Sequence, residues 1–307
     1  MANVTSFLNV TSFLGTLQSY NTLSPLEPHW SALTANVPAF DVAFWGTIVL
    51  MTVVLFLSSF TYFLMDLQPS LRKYKLQPTR VPTLSQYAEC FRGAFVGHVA
   101  VHVPVFFLLA YFMDDLPGFS ATRPLPTPTT LVCELILFLI CEDFGFYWWH
   151  RFLHWKRIYK YIHKFHHTYP APFGLAAFYS HPVEELVTLS ATLAGPVLFG
   201  SHILTAWIWF VLRGLDAVDG HSGYAFPYHL QTLVPIFTGP LRHDYHHEKY
   251  DSNFGSVTVF WDWICGTDAT YRARQREKAS RGEPAYLDVF DYLTDYFSPS
   301  IAKTKTS

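Results

Sequence analysis

Cysteine is scarce in this sequence and charge is thin. Cys90, Cys133, Cys141 and Cys265 stand alone along 307 residues. None belongs to a CxxC pair, which excludes a thiolate zinc site, and they are too scattered for a disulfide framework. Charged residues make up 14%, against roughly 25% in ordinary soluble domains. Net charge is −2, and Lys and Arg are scattered rather than striped, so nothing points to nucleic acid. No Glu is followed three residues later by His, so the Glu-x-x-His signature of a carboxylate-bridged di-iron bundle is missing. Residues 1–44 contain no Lys or Arg, and the leader lacks the basic start and apolar run of a signal peptide.

Apolar residues are plentiful instead: half the chain is hydrophobic and 18% is aromatic, which suits a membrane boundary. Trp45 to Met65 carries no charge and meets the roughly 20 residues that a spanning helix needs. Ala94 to Met113 is a second expected span, kinked at Pro104. Thr130 to Trp149 is a third, whose Glu134, Glu142 and Asp143 must face protein or a wet cavity. Leu186 to Leu215 is broken at Gly195-Pro196 and Gly200-Ser201-His202, and reads as a bent pair of helices. Cationic residues gather between the first two spans (Arg72, Lys73, Lys75, Arg80) and after the third (Arg151, Lys156, Arg157, Lys160, Lys164). The positive-inside rule then puts the N-terminus in the lumen and the C-terminal half in the cytosol. Two N-x-T triplets, at Asn3 and Asn9, fit a lumenal start, and Lys303 and Lys305 resemble a KxKxx endoplasmic-reticulum retrieval signal. The expected organisation is a lumenal segment (1–44), transmembrane helices (45–149), a catalytic region (150–275) that includes the broken membrane segment 186–215, and a cytosolic tail (276–307).

Histidine is where the chemistry lies. Eight of the 15 histidines form three clusters: His150-xxx-His154, His163-xx-His166-His167 and His243-xx-His246-His247. On a helix, positions three and four apart share a face, so each cluster aims its imidazoles one way. Packing gives no reason for such gathering; metal ligation does. Eight imidazoles exceed one tetrahedral ion's four ligands, and two six-coordinate ions with an open position would use eight to ten. The count favours a dinuclear iron site. His221, at the end of the broken segment, is the expected ninth ligand. Glu142, Asp143, His181, Asp219 and Asp244 are candidates to receive the other ring N–H of the ligands. His98 and His102 sit inside the second span and suit intramembrane hydrogen bonding or a cavity lining. Phe144, Tyr147, Trp148 and Trp209 are candidate cavity walls, and His29 and His202 read as loop residues. A metal transporter would place its ligands within the bilayer rather than after the spans. A di-haem cytochrome would need isolated histidines on opposing spans.

The three boxes HxxxH, HxxHH and HxxHH resemble those of the fatty acid hydroxylase/sterol desaturase superfamily. The stretch His154 to His167, Ala171-Pro-Phe-Gly-Leu175, Ser180-His-Pro182, His221-Ser-Gly-Tyr224, Arg242 to His247, Asn253-Phe-Gly255 and Trp261 to Asp268 is closer still to the sterol C-4 methyl oxidases. The resemblance covers about residues 40 to 275. It implies an all-α, multi-span membrane protein with a cytosolic, histidine-rich di-metal helical cap, in the endoplasmic reticulum. It also implies a non-haem di-iron monooxygenase that oxidises a sterol C-4 methyl group with O2, through alcohol and aldehyde to carboxylate. Cytochrome b5 and an NAD(P)H-dependent reductase would supply electrons. The alternative is another hydroxylase or desaturase of the superfamily, acting on a sterol side chain, a sterol ring or a fatty acyl chain. Phe178 stands where many relatives carry an acidic residue, which bears on substrate preference.

Overall fold

Apolar rows on long helices dictate the architecture. A computed structural model describes residues 25–116 and 118–297; Asn3, Asn9, Lys303 and Lys305 lie outside the described residues. Among these, no β-strand forms and only isolated bridges occur, such as Lys75 with Tyr224. The fold is all-α.

After α1 (Glu27–Asn36), α2 runs over Ala39–Asp66, starting before the expected Trp45. Its exposed row, Trp45, Val49, Val53, Leu57, Phe60 and Leu64, steps by three or four residues, while Val42, Thr47, Met51, Leu55 and Ser59 face inward. An apolar face left outward over so many turns suits lipid rather than water. The next long helix begins at α3 (Leu84–Gly97), ahead of the expected Ala94, because Thr83 and Gln86 form a reciprocal capping box. It passes through a π-helical stretch, His98–His102, into α4 (Val103–Tyr111). Pro104 lacks an N–H, and the widened turn before it accommodates the missing bond within a continuous helix. Among the described residues, Ala39–Asp66 and Leu84–Tyr111 are the two helices long and apolar enough to cross a membrane.

The helix expected as a third span is longer than predicted, and it is not among the helices long and apolar enough to cross a membrane. Helix α5 covers Pro128–Leu153 and carries the first histidine pair on its end. Its outward row is Val132, Ile136, Ile140, Phe144 and Trp148, while Glu134, Glu142 and Asp143 point inward. A short α6 (Lys156–Tyr159) follows. The broken segment resolves into α7 (Pro182–Phe199) and α8 (Ile203–Gly220), with Gly200 in the left-handed region at φ 59° between them. Helices α5 and α7 approach closely at Gly195, where a Cβ would lie 2.7 Å from Phe138 Cα. Phe138 is wholly buried in a core with Met51, Phe106, Leu189, Trp209 and Phe210; such a side chain contributes about 3 kcal/mol. On the other flank, Trp207 Nε1 donates to Thr47 Oγ1 at 2.9 Å, joining α8 to α2. His29 lies within α1 rather than in a loop; His202 does sit in the turn before α8, but it is buried, caps α8 by accepting from Leu204 N, and faces Arg123 O at 3.1 Å.

Beyond α8 come α9 (Leu230–Leu233), α10 (Gly239–Lys249), α11 (Phe260–Cys265), α12 (Ala269–Ser280) and α13 (Val289–Phe297). Buried Arg242 pins α10 by pairing with Asp268 and Asp288. At the opposite corner, Asp66 accepts from Tyr87 Oη (2.6 Å), Tyr224 Oη (2.8 Å) and Lys75 Nζ (2.7 Å). That tie holds the end of α2 to the loop after α8.

Candidate metal centre

Nine histidines converge from four places in the chain. His150 lies on the last turn of α5 and His154 at its C-cap. The second cluster departs from expectation: it sits on a 3₁₀ stretch, His163–Thr168, kinked at His167, rather than on an α-helix. That kink turns adjacent His166 and His167 toward different neighbours. His243, His246 and His247 lie on α10, and His221 caps the end of α8.

The rings divide into two groups. His150, His154, His163, His167 and His246 form one; His166, His221, His243 and His247 form the other. Within each group the nearest ligand atoms all lie within 4.8 Å of one another. In the first, Nε2–Nε2 separations are 3.1 Å for His150–His163, 3.2 Å for His154–His167, 3.1 Å for His163–His167 and 3.1 Å for His167–His246. In the second they are 3.1 Å for His166–His221, 2.8 Å for His221–His243 and 3.1 Å for His243–His247. Metal–imidazole bonds are about 2.1 Å, so neighbouring corners of an octahedron fall about 3.0 Å apart and those of a tetrahedron about 3.4 Å. The observed spacings suit ligands of a shared ion in each group.

The other ring nitrogen settles which tautomer is present. Nδ1 of His150 donates to Phe254 O (2.8 Å), His166 to Tyr179 O (3.3 Å), and His221 to Ala217 O (2.8 Å). His246 donates to Ser252 O (2.7 Å) and His247 to Tyr169 O (3.1 Å). His163 Nδ1 faces Glu184 Oε1 at 2.8 Å. Each of the five bonds to a backbone carbonyl puts the proton on Nδ1 and leaves Nε2 bare toward the centre. Burial drives the rings to stay neutral, reinforced by the neighbouring imidazoles. It lowers the pKa of His154 to about 2 and of His166 to about 4, and holds His163, His167, His243, His246 and His247 well below 6.5. Several buried lone pairs aimed at one point repel unless a cation lies among them. The donor set fits two transition-metal ions and suits iron among others.

The expected acceptors for the outer N–H groups make other bonds. Glu142 pairs with Arg213 at 2.6 Å, and Asp143 accepts from Thr258 N and Oγ1. His181 caps α7 by accepting from Val183 N. Asp219 accepts from Tyr62 Oη (2.5 Å) and faces His229 Nε2 (2.9 Å). Asp244 accepts from Gln77 Nε2, its carboxyl pushed up to about 6 by burial. Backbone carbonyls and Glu184 take the place expected of them. Glu184 escaped notice because an acidic residue in the first turn of a helix is ordinarily explained by the helix dipole. The carbonyls depend on loop shape: Asp262 accepts from Phe254 N (2.9 Å), Gly255 N (2.7 Å) and Thr267 Oγ1 (2.6 Å), which aims Phe254 O at His150.

A cavity of about 150 Å³ opens against both groups, touching His150, His163, His166, His221 and His243. Its apolar walls are Met51, Phe146, Phe178, Leu189 and Phe210. The expected walls lie elsewhere: Phe144 and Trp148 are on the exposed row, Tyr147 bonds Thr267, and Trp209 donates to Thr192 O. His102 does line the cavity, and His98 bonds it from behind.

Residues 135–267 match the fatty acid hydroxylase family. The chain is 38% identical to methylsterol monooxygenase 2-2 of Arabidopsis thaliana, over 80% of this chain and 93% of that protein. It is 34% identical to methylsterol monooxygenase 1 of Rattus norvegicus, over 84% and 88% respectively. It is also 39% identical to very-long-chain aldehyde decarbonylase GL1-11 of Oryza sativa subsp. indica, over 81% and 94%. No solved structure matches.

Proposed function

The chain belongs to the fatty acid hydroxylase family, and from that premise we propose that it is a membrane-bound, non-haem di-iron monooxygenase that oxidises the C-4 methyl group of sterol intermediates with O2. The observation that carries the reading is the pair of histidine groups, five and four, with bare Nε2 atoms converging beside an apolar cavity. His150, His154, His163, His167 and His246 would hold one iron ion, and His166, His221, His243 and His247 the other. When bound, such ions supply the oxygen-activating chemistry that attack on an unactivated C–H bond requires and that side chains lack.

The protein's own part is orientation and dryness. Backbone carbonyls and Glu184 hold the ring tautomers, and the buried walls exclude water from the reacting end. A cavity of this size matches roughly one that holds benzene, so it receives one ring of a larger lipid. A second apolar cleft, lined by Ala43, Phe106, Leu109, Leu193 and Ile203, shares Phe210 with it. The two together favour a long, rigid apolar substrate entering from between the helices.

The same reading places the enzyme in the endoplasmic reticulum, with the histidine region and C-terminus cytosolic, where cytochrome b5 and an NAD(P)H-dependent reductase supply electrons. The charge bias of the loops and the two outward apolar helices support it. The decarbonylase named among the relatives favours a second reading, another oxidation in the family acting on an acyl chain. Sterol profiling decides between them. Supplied to cells lacking a C-4 methyl oxidase, this chain should clear the accumulated 4-methylsterols. Their persistence, with the protein present and metallated, would favour the second reading.

A further inference from the structure

One wall of the cavity is polar, and the metal centre engages only one oxygen of it. Glu184 and Glu185 open α7, and their side chains are only 5% and 6% exposed. Glu184 Oε1 lies 2.8 Å from His163 Nδ1, but Glu184 Oε2 and both carboxyl oxygens of Glu185 have no hydrogen-bond partner among the described residues. Both residues line the cavity. Room for Glu185 comes from Gly97 on α3, where a Cβ would lie 2.3 Å from Oε2. A buried carboxyl with an open acceptor is costly unless a donor arrives.

The chain of contacts behind Glu185 shows what it can accept. Thr52 Oγ1 donates to Ile48 O at 2.7 Å, so it receives the Nε2–H of His98 at 2.9 Å. His98 Nδ1 is then bare and accepts from His102 Nδ1–H at 2.8 Å. His102 Nε2 therefore presents a lone pair toward Glu185 Oε1, 3.4 Å away, with no hydrogen bond between them. The relay ends at a helix carbonyl, so it is no proton conduit. Glu185 thus lines the cavity with a carboxyl whose two oxygens both lack a hydrogen-bond partner among the described residues.

We propose that Glu185, beside His102, receives a hydroxyl group of an otherwise apolar lipid and thereby sets which carbon of that lipid faces the histidine groups. The inference rests on the sterol reading above, in which a hydroxyl sits on the ring carbon next to the one oxidised. Glu185 is a positioning residue here, and Phe178 on the same cavity forms the apolar surface against the ring.

The test is equilibrium binding to the full-length, metal-loaded protein in detergent, using a 4-methylsterol and its 3-deoxy analogue. A hydrogen bond to a buried carboxyl is worth roughly 1.5–3 kcal/mol, so the deoxy compound should bind at least about tenfold more weakly. In Glu185→Ala the two should bind alike, with metal content unchanged, and Glu185→Gln should restore part of the preference. Equal binding of the two sterols to the unaltered protein overturns the inference without needing any variant to fold. Undiminished preference in Glu185→Ala overturns it as well. If neither sterol binds at all, the sterol reading itself is overturned, and this inference with it.

Discussion

The two histidine groups differ in number and in how the chain assembles them. The five-membered group takes four rings from residues 150–167 and one, His246, from α10. The four-membered group takes His166 from that same stretch, two rings from α10, and His221 from the end of α8. The first is largely a local product of one helix end and the turn after it. The second exists only if the α7–α8 hairpin docks against α2 and α5. A centre built this way takes a ligand from the α7–α8 hairpin in one half, whereas the hairpin reaches the other half only through Glu184 beside His163.

Removing one ring from each group is the strongest way to break that contrast. His221→Ala leaves three imidazoles, and should cost about one ion per chain and reduce turnover by at least ~100-fold. His154→Ala leaves four, and should retain both ions with a smaller fall in turnover. Metal analysis of the purified variants checks both, and equal metal loss from the two would erase the distinction. Glu184→Gln sharpens it further, because His163 belongs to the five-membered group and loses the carboxyl beside its outer nitrogen. Metal affinity should fall roughly 10- to 100-fold, with the loss confined to one ion per chain in a chelator titration.

The smallest effect is one of pH on the metal-free protein. The buried rings have folded-state pKa values below 6.5, such as about 4 for His166. The unfolded chain therefore binds more protons than the folded one as pH drops below 6.5, and stability falls with it. Above pH 6.5 this contribution is fully present. Thermal unfolding of the metal-free protein should shift down progressively between pH 7 and pH 5, and metal loading should blunt the shift. A Tm independent of pH over that range would mean the rings are not buried neutral.

Much of this was legible in the linear chain because periodicity and spacing are local properties. The uncharged runs marked α2 and the helix through Pro104, since an apolar row must repeat every three or four residues to cover one face. The histidine boxes stood out for the same reason, as did His221 at the end of a broken apolar segment. Their division into two groups did not, because adjacent His166 and His167 part company only through a kink in a 3₁₀ stretch. Nor did the partners of the outer ring nitrogens, which are mostly main-chain carbonyls that any residue carries. Asp143, Asp219 and Asp244 looked suitable by proximity along the chain, yet Thr258, Tyr62 and Gln77 engage them. Composition and residue order thus determined that this protein is helical, apolar and rich in clustered imidazole. Which ring meets which, and which carboxyl is left facing the cavity, came from helix packing, because those contacts join residues far apart in sequence whose distances no local pattern encodes.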